Sequence, residues 1–310
     1  MREWFRSCDV GYDAAQLAQI EQLRENVRFL AGYKLPAELG FESNDSRIFD
    51  GCDLIVSAVP CQFMRRVWER LKPCYPDGVA VVSVAKGIEN ETLMLPRDIL
   101  KDVLGDGLRF AVLSGPTIAD ELVRDLPATA CSASEDMHLA REVQEAFSRS
   151  YFRVYTNDDV TGVEVAGAMK NVIAISAGII DGIGAGDNAK AALLCRGLAE
   201  ITRFGEAMGA HSQTFAGLSG LGDLVTTCIS PKGRNRSFGE RIGRGMSVQE
   251  ALAATNSVVE GAATCESVMG LSAKLNVDMP ITKAVYEILF ENKSVQDALS
   301  DLMSRKLKSE

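Results

Sequence analysis

One lysine, Lys170, stands in the apolar middle of Val163–Gly186, VEVAGAMKNVIAISAGIIDGIGAG, which reads as a helix apolar on nearly every side. A charged amine enclosed by apolar neighbours loses several kcal/mol of solvation, so it must be neutral, paired, or placed to meet an anion. At 100° per residue Glu164 and Asn171 fall within about 20° of each other, and Lys170 lies about 100° from Asn171. The rest of the helix (Val165, Ala168, Met169, Val172, Ile173, Ile175, Ile179) has no polar stripe and suits a helix surrounded by others. Two readings stay open from these residues alone: a buried Lys170–Glu164 pair that only holds the protein together, or an amine that meets an anionic ligand.

Four further segments carry groups suited to an anion. Val84–Asn90, VAKGIEN, puts Lys86 directly after a strand, at the carboxyl edge where ligands of open α/β sheets bind. Ser114–Ala119, SGPTIA, is a Gly-Pro turn, expected to free backbone N–H groups and the Thr117 hydroxyl for an oxyanion. Leu218–Leu224, LSGLGDL, places Asp223 on a glycine-rich turn, where the alternative is an Asx-turn or helix cap. Pro231–Phe238, PKGRNRSF, offers Arg234, Asn235 and Arg236, and a guanidinium suits bidentate contact with phosphate.

The elements that must position these groups fall into two halves. From residue 50 to 157 apolar runs of strand length (52–60, 79–86, 109–114, 128–134, 152–156) alternate with helical stretches. Continuous rather than alternating apolarity means burial on both faces, the mark of a mostly parallel, doubly wound sheet. After about residue 162 the strand signals stop and helical patterns cover 163–181, 187–209, 247–254, 260–275 and 281–290. The expected organisation is α/β plus all-α: an incomplete dinucleotide-binding domain over 1–162 and an all-helical substrate domain over 163–310.

The front is unusual for such a domain. A dinucleotide-binding fold should open with a strand, a glycine-rich turn and a helix whose N-terminus meets the pyrophosphate. Here Met1 leads into REWFR, which reads as the end of a second strand, followed by a helical stretch from Asp13 to Leu30. About thirty residues, one strand-turn-helix, are missing by this count, as from a start placed too late or a truncated gene. Their loss should leave two inner strand edges unpaired.

Composition sets the remaining bounds. The chain has 310 residues, 46% apolar and 24% charged, enough for two cores. A net charge of −9 argues against non-specific binding to nucleic acid or an anionic membrane. No run of about 20 apolar residues and no signal peptide is read from the sequence, so the expected location is the cytoplasm. Eight scattered cysteines, without C-x-x-C, make disulfides or a zinc site unexpected. The two histidines, His138 and His211, sit in polar segments and are expected to face solvent, which leaves no histidine-based proton relay.

In this order the motifs AVP (58–60), AKGIE (85–89), VLSGPT (112–117), YFRVYTNDDVTGVEVAGAMKNVIAISAG (151–178), GDNAKAALLCRGLAE (186–200), SGLGDLVTTC (219–228), GRNRSFG (233–239), VVEG (258–261) and MPIT (279–282) resemble the bacterial-type NAD(P)-dependent glycerol-3-phosphate dehydrogenases. The resemblance runs from about Trp4 to Leu307. It implies a nucleotide-binding domain, a helical substrate domain, and interconversion of dihydroxyacetone phosphate and sn-glycerol 3-phosphate for glycerophospholipid synthesis. It further implies that Lys170 is the proton donor and acceptor. Lys86, Gly115, Thr117, Lys170, Asp223, Gly233, Arg234 and Asn235 would fall on substrate-contacting positions, and Arg6, Lys86, Ala119, Arg234, Val258 and Glu260 on cofactor-contacting ones.

The family often has Ser where this chain has Gly233, so a hydroxyl contact would pass to a backbone N–H. Arg6 stands where an acidic residue would favour NAD, which leans the cofactor to NADP(H) with NAD(H) as the other choice. The partner is a small phosphorylated substrate, with neither nucleic acid nor a membrane span, and a homodimer is the assembly kept in view. Two alternatives remain. A β-hydroxyacid dehydrogenase of the 6-phosphogluconate kind resembles this chain in its lysine but carries Asn one turn later, where Ala174 stands here. A truncated protein could also bind a phosphometabolite without catalysis.

Overall fold

The structure is a computed structural model and describes residues 6–7, 14–255, 258–307 and 309, with only the backbone of Arg6, Ser7 and Ala14. Its first half contains β1 (Arg6–Ser7), α1 (Ala14–Leu23), β2 (Gly40–Phe41), β3 (Leu54–Ser57), α2 (Cys61–Leu71), β4 (Ala80–Ser83), α3 (Pro96–Leu104), β5 (Phe110–Ser114), α4 (Ala119–Leu122), β6 (Ala128–Ala133), α5 (Met137–Phe147) and β7 (Phe152–Asn157). Helices follow: α6 (Val160–Gly182), α7 (Asp187–Ala207), α8 (Ser212–Phe215), α9 (Asp223–Ile229), α10 (Arg234–Gly243), α11 (Val248–Ala253), α12 (Glu260–Leu275), α13 (Pro280–Phe290) and α14 (Val295–Met303).

Strands β3 to β7 form a five-stranded sheet in sequence order, parallel throughout except that β6 runs antiparallel to β5. The apolar runs are continuous because both faces are covered. Val81 and Val112 pack with Met64, Trp68 and Ile99 of α2 and α3, while Val82, Ala111 and Ala130 pack with Leu139 and Val143 of α5. Trp68 also donates its indole N–H to Ser57 Oγ at 3.0 Å, which satisfies its one buried polar atom.

Among the described residues β1 pairs only with β2, in a separate parallel ladder, and β3 pairs only with β4. Two unpaired inner edges are expected from the sequence; among the described residues β3 has a partner on one side only, and its Val56 is exposed. The helix expected from Asp13 to Leu30 is shorter and ends at Leu23. Arg24 takes a left-handed φ of 51°, and its guanidinium lies over the Phe41 ring and donates to Leu39 O at 2.8 Å. That turn folds the chain back toward β2 instead of continuing the helix.

Helix α6 is the hub of the second half. Asp159 caps it by accepting from the Gly162 N–H at 2.8 Å. One side packs against Phe204 and Phe215, another against Phe238 and Val285, and Val163 reaches the core under the sheet. By length and composition α6 does qualify as a membrane span, which the sequence reading missed, but 89% of its most apolar window is buried inside the protein. Its apolar surface is used by neighbouring helices.

The crossing of α6 and α10 is close enough to demand glycine. A Cβ on Gly178 would stand 1.9 Å from Arg236 O, and one on Gly239 would stand 2.0 Å from Ile175 O. This contact lays the start of α10, with Arg234 and Asn235, along the helix that carries Lys170.

Candidate active site

The amine of Lys170 is buried, and its partner is Asp223 rather than Glu164. Lys170 Nζ donates to Asp223 Oδ1 at 2.5 Å and to Thr227 Oγ1 at 2.9 Å. The other carboxylate oxygen, Oδ2, accepts from Lys86 Nζ at 2.6 Å. One carboxylate thus joins two ammonium groups drawn from α6 and from the turn after β4, which leaves a net single positive charge.

Glu164 stands apart. Its Oε1 accepts from the Arg97 backbone N–H at 2.9 Å, at the start of α3, and its Oε2 is buried without a hydrogen bond. The structural Lys170–Glu164 pair is therefore corrected. Six residues of separation put the two side chains on different sides of α6, and each takes the nearest group there.

Asp223 is not on a loop. It is the first residue of α9, directly after a wide helical turn at Leu218–Gly222, and it is 2% exposed. Thr227, which the sequence reading did not single out, lies one turn later on the same helix. The spacing i, i+4 in DLVTT was the available signal.

Electrostatics follow the geometry. Burial lowers the Lys170 pKa, and the Lys86 charge lowers it further, against the pull of Asp223; the result is about 8. For Asp223 burial acts upward, but the two ammonium groups override it and hold its carboxyl below the usual range. Burial raises Glu260 above the ordinary carboxylate value, opposed by the charges of Arg234, Lys86 and Lys170.

Arg234 is the first residue of α10 and exposed, and its side chain makes no hydrogen bond or ion pair among the described residues. Asn235 is buried, and its carboxamide is already engaged: Nδ2 donates to Asn171 Oδ1 at 2.9 Å and Oδ1 accepts from the Gly261 N–H at 3.0 Å. In this arrangement it braces α6, α10 and α12 more than it offers itself to a ligand. The N–H of Gly233, expected to replace a lost hydroxyl, donates to Ser230 O at 3.1 Å and is not free.

The SGPT turn is likewise more occupied than expected. The Thr117 hydroxyl donates to Gly115 O at 3.2 Å, and Lys86 Nζ donates to the same carbonyl at 3.2 Å. Gly115 has φ +151° and sits where a Cβ would meet Ala130 Cα at 2.8 Å, so the turn lies flat against β6. Ala119 begins the four-residue α4 and is exposed; Val258 is 45% exposed. The side chain of Arg6 lies outside the described residues.

Both histidines are exposed, His138 beside Glu142 at 3.2 Å. Seven cysteines are described and all are free thiols, with Cys61, Cys131, Cys228 and Cys265 buried.

A mostly parallel sheet whose strands β4 and β5 lead on to Lys86 and Gly115, beside a buried lysine on a helical half, is the arrangement of a dehydrogenase of the nicotinamide-nucleotide type. Comparison with known proteins narrows this. Residues 5–140 match the model for the NAD-dependent glycerol-3-phosphate dehydrogenase N-terminus and residues 159–300 match that for its C-terminus. Glycerol-3-phosphate dehydrogenase [NAD(P)+] of Citrifermentans bemidjiense is 45% identical over 301 residues, 96% of this chain and 90% of that one. The same-named protein of Prosthecochloris aestuarii is 47% identical over 294 residues, covering 94% and 89%. The crystal structure of glycerol-3-phosphate dehydrogenase from Coxiella burnetii superposes with a TM-score of 0.91 at 34% identity, covering 95% and 90%. The chain belongs to the NAD-dependent glycerol-3-phosphate dehydrogenase family.

Proposed function

We propose that this protein reduces dihydroxyacetone phosphate to sn-glycerol 3-phosphate with NADPH or NADH, in the cytoplasm, as a step toward glycerophospholipid. The observation that carries this reading is the Lys170–Asp223–Lys86 cluster, in which a buried amine with a pKa lowered to about 8 shares one carboxylate with a second lysine from the sheet half. Relatives bearing this activity in their names support it.

The residues present fit the nicotinamide end of a dinucleotide. The chain leaving β4 and β5 reaches the Lys170 cluster through Lys86 and the Gly115 carbonyl, and Lys86, exposed Ala119, Arg234, Val258 and half-buried Glu260 are the groups that would hold it. Arg6 would meet the 2′-phosphate of NADPH. A glycine-rich pyrophosphate turn is not among the residues of this chain. When bound, the reduced nicotinamide supplies the hydride to the ketone carbon.

The chain's own groups do the rest. Lys170 gives a proton to the carbonyl oxygen as charge develops there, becoming a neutral amine, and is recharged from solvent. Lys86 stabilises the same oxygen electrostatically and keeps the Lys170 proton labile. Asp223 orients both amines, and Thr227 fixes the Lys170 head group. Arg234, whose side chain makes no hydrogen bond or ion pair among the described residues, grips the phosphate and spends binding energy remote from the reacting atom on orientation. Asn235 and Asn171 hold that grip in register with the lysine.

The substrate is a small phosphorylated ketone, and a homodimer is the assembly this reading carries. The test is NADPH oxidation with dihydroxyacetone phosphate against 2- and 3-hydroxyacid substrates in the reverse direction. Turnover of the phosphorylated ketone supports the reading, and turnover of hydroxyacids alone defeats it.

A further inference from the structure

The carbonyl of Ile88, two residues after Lys86, is held from both halves of the molecule at once. Gln62 Nε2 on α2 donates to it at 2.7 Å, and Ser267 Oγ on α12 lies 2.9 Å from it. The grip extends to Asn90. Its backbone N–H donates to Gln62 Oε1 at 3.1 Å, its Nδ2 donates to Glu266 Oε2 at 2.7 Å, and its Oδ1 lies 2.5 Å from Ser267 Oγ. The two nearer acceptors of the single Ser267 proton are both on this turn, and the third, Ala263 O one turn back on α12, is farther at 3.3 Å.

The residues between are equally confined. Ile88 is fully buried, and a Cβ on Gly87 would stand 2.9 Å from Cys61 Cβ. Glu89 is fixed by the Arg65 guanidinium, whose Nη2 donates at 2.9 Å. The backbone that leads out of β4 and carries Lys86 is thus clamped on its downstream side by α2 and α12, while the Lys86 amine reaches across to Gly115 O and Asp223.

We propose that Ser267 and Gln62 are positioning residues that set the distance of Lys86 from Lys170 by gripping the Ile88 carbonyl between the two halves. The inference rests on the reading of Lys170 as proton donor. The groups acting on the Lys170 amine are Asp223, Thr227 and Cys228 of α9, Glu260 of α12, and Lys86. Of these, Lys86 alone is borne on the gripped turn. Releasing that turn moves a like charge away from Lys170 and leaves Asp223 to Lys170 alone, and both changes make the amine hold its proton more tightly.

The test is a pH titration of the Lys170 Cε resonance by NMR in the full chain carrying 13C-lysine, assigned with Lys170→Arg. Lys86→Ala sets the upper limit of the midpoint. Ser267→Ala and Gln62→Ala should each raise the midpoint by about half a pH unit or more, with Ser267→Thr close to the parent protein. The alkaline limb of NADPH-dependent ketone reduction should move by the same amount. Unchanged midpoints in both alanine variants, with unchanged circular dichroism, overturn the proposal. Should Ser267→Ala fail to fold, the half-buried Gln62→Ala decides by itself. The resonance reads the grip without turnover, so a protein inactive toward dihydroxyacetone phosphate would defeat the functional reading and still report on this one.

Discussion

The Asn235 carboxamide donates to Asn171 Oδ1 at 2.9 Å, so the chain neighbours of Arg234 and Lys170 are hydrogen-bonded to each other. The proposed phosphate grip and the proposed proton donor are coupled through one buried pair. Arg234→Ala should therefore raise the KM for dihydroxyacetone phosphate by about 10- to 100-fold, the loss of a charged hydrogen bond. Discrimination against unphosphorylated dihydroxyacetone should fall with it. Steady-state kinetics with both ketones checks this, and an unchanged KM would contradict the anchoring role.

Lys170→Ala should cut kcat by about a hundred- to ten-thousand-fold, the usual contribution of a general acid. NADPH affinity, read by fluorescence titration, should stay within a few-fold of the parent. A large loss of affinity with preserved kcat would make the lysine a binding group instead.

The direction of the reaction sets the sign of its pH dependence. Ketone reduction needs Lys170 charged and should decline as pH rises through about 8; alcohol oxidation needs it neutral and should rise over the same range. Asp223→Asn removes the carboxylate that favours the charged amine, so the reductive limb should shift to lower pH. Rate profiles in both directions test this, and a shift to higher pH would sink the assignment of Asp223.

Glu164 offers a test of stability separate from catalysis. Burial, offset in part by the Arg97 N–H and guanidinium, raises its pKa from 4.5 to about 8, so the folded chain holds this proton more tightly than the unfolded one. The stabilisation is complete below about pH 4.5, declines as pH rises, and is gone above about 8. Glu164→Gln stays neutral and should remove that slope. Its advantage over the parent in urea unfolding should grow from pH 5 to 8 and reach a few kcal/mol. A difference that does not change with pH would show that the carboxyl is charged throughout.

Lys170 was legible in the sequence because a lysine among apolar residues must be neutral, paired or set against an anion. Its partner was not: Asp223 lies 53 residues downstream in a glycine-rich stretch where turn chemistry explains an aspartate equally well. The sheet was legible because two-sided burial leaves continuous runs such as VAVVS. Helices α9 and α10 were not, being short and rich in Thr, Arg and Gly, and formed by packing on α6 rather than by propensity. Arg234 and Asn235 were marked by residue type and by family resemblance, and the structure adds that the first is exposed, with no side-chain ion pair among the described residues, while the carboxamide of the second is hydrogen-bonded to Asn171 and Gly261.

The proposed proton donor sits on the most enclosed helix of the molecule, and α6 has solvent on almost none of its surface. Its peptide groups can be reached by water only when the helical half comes apart as a whole. Amide hydrogen exchange along 163–179 should accordingly be the slowest in the protein and follow global unfolding, which makes loss of activity on heating a direct readout of denaturation.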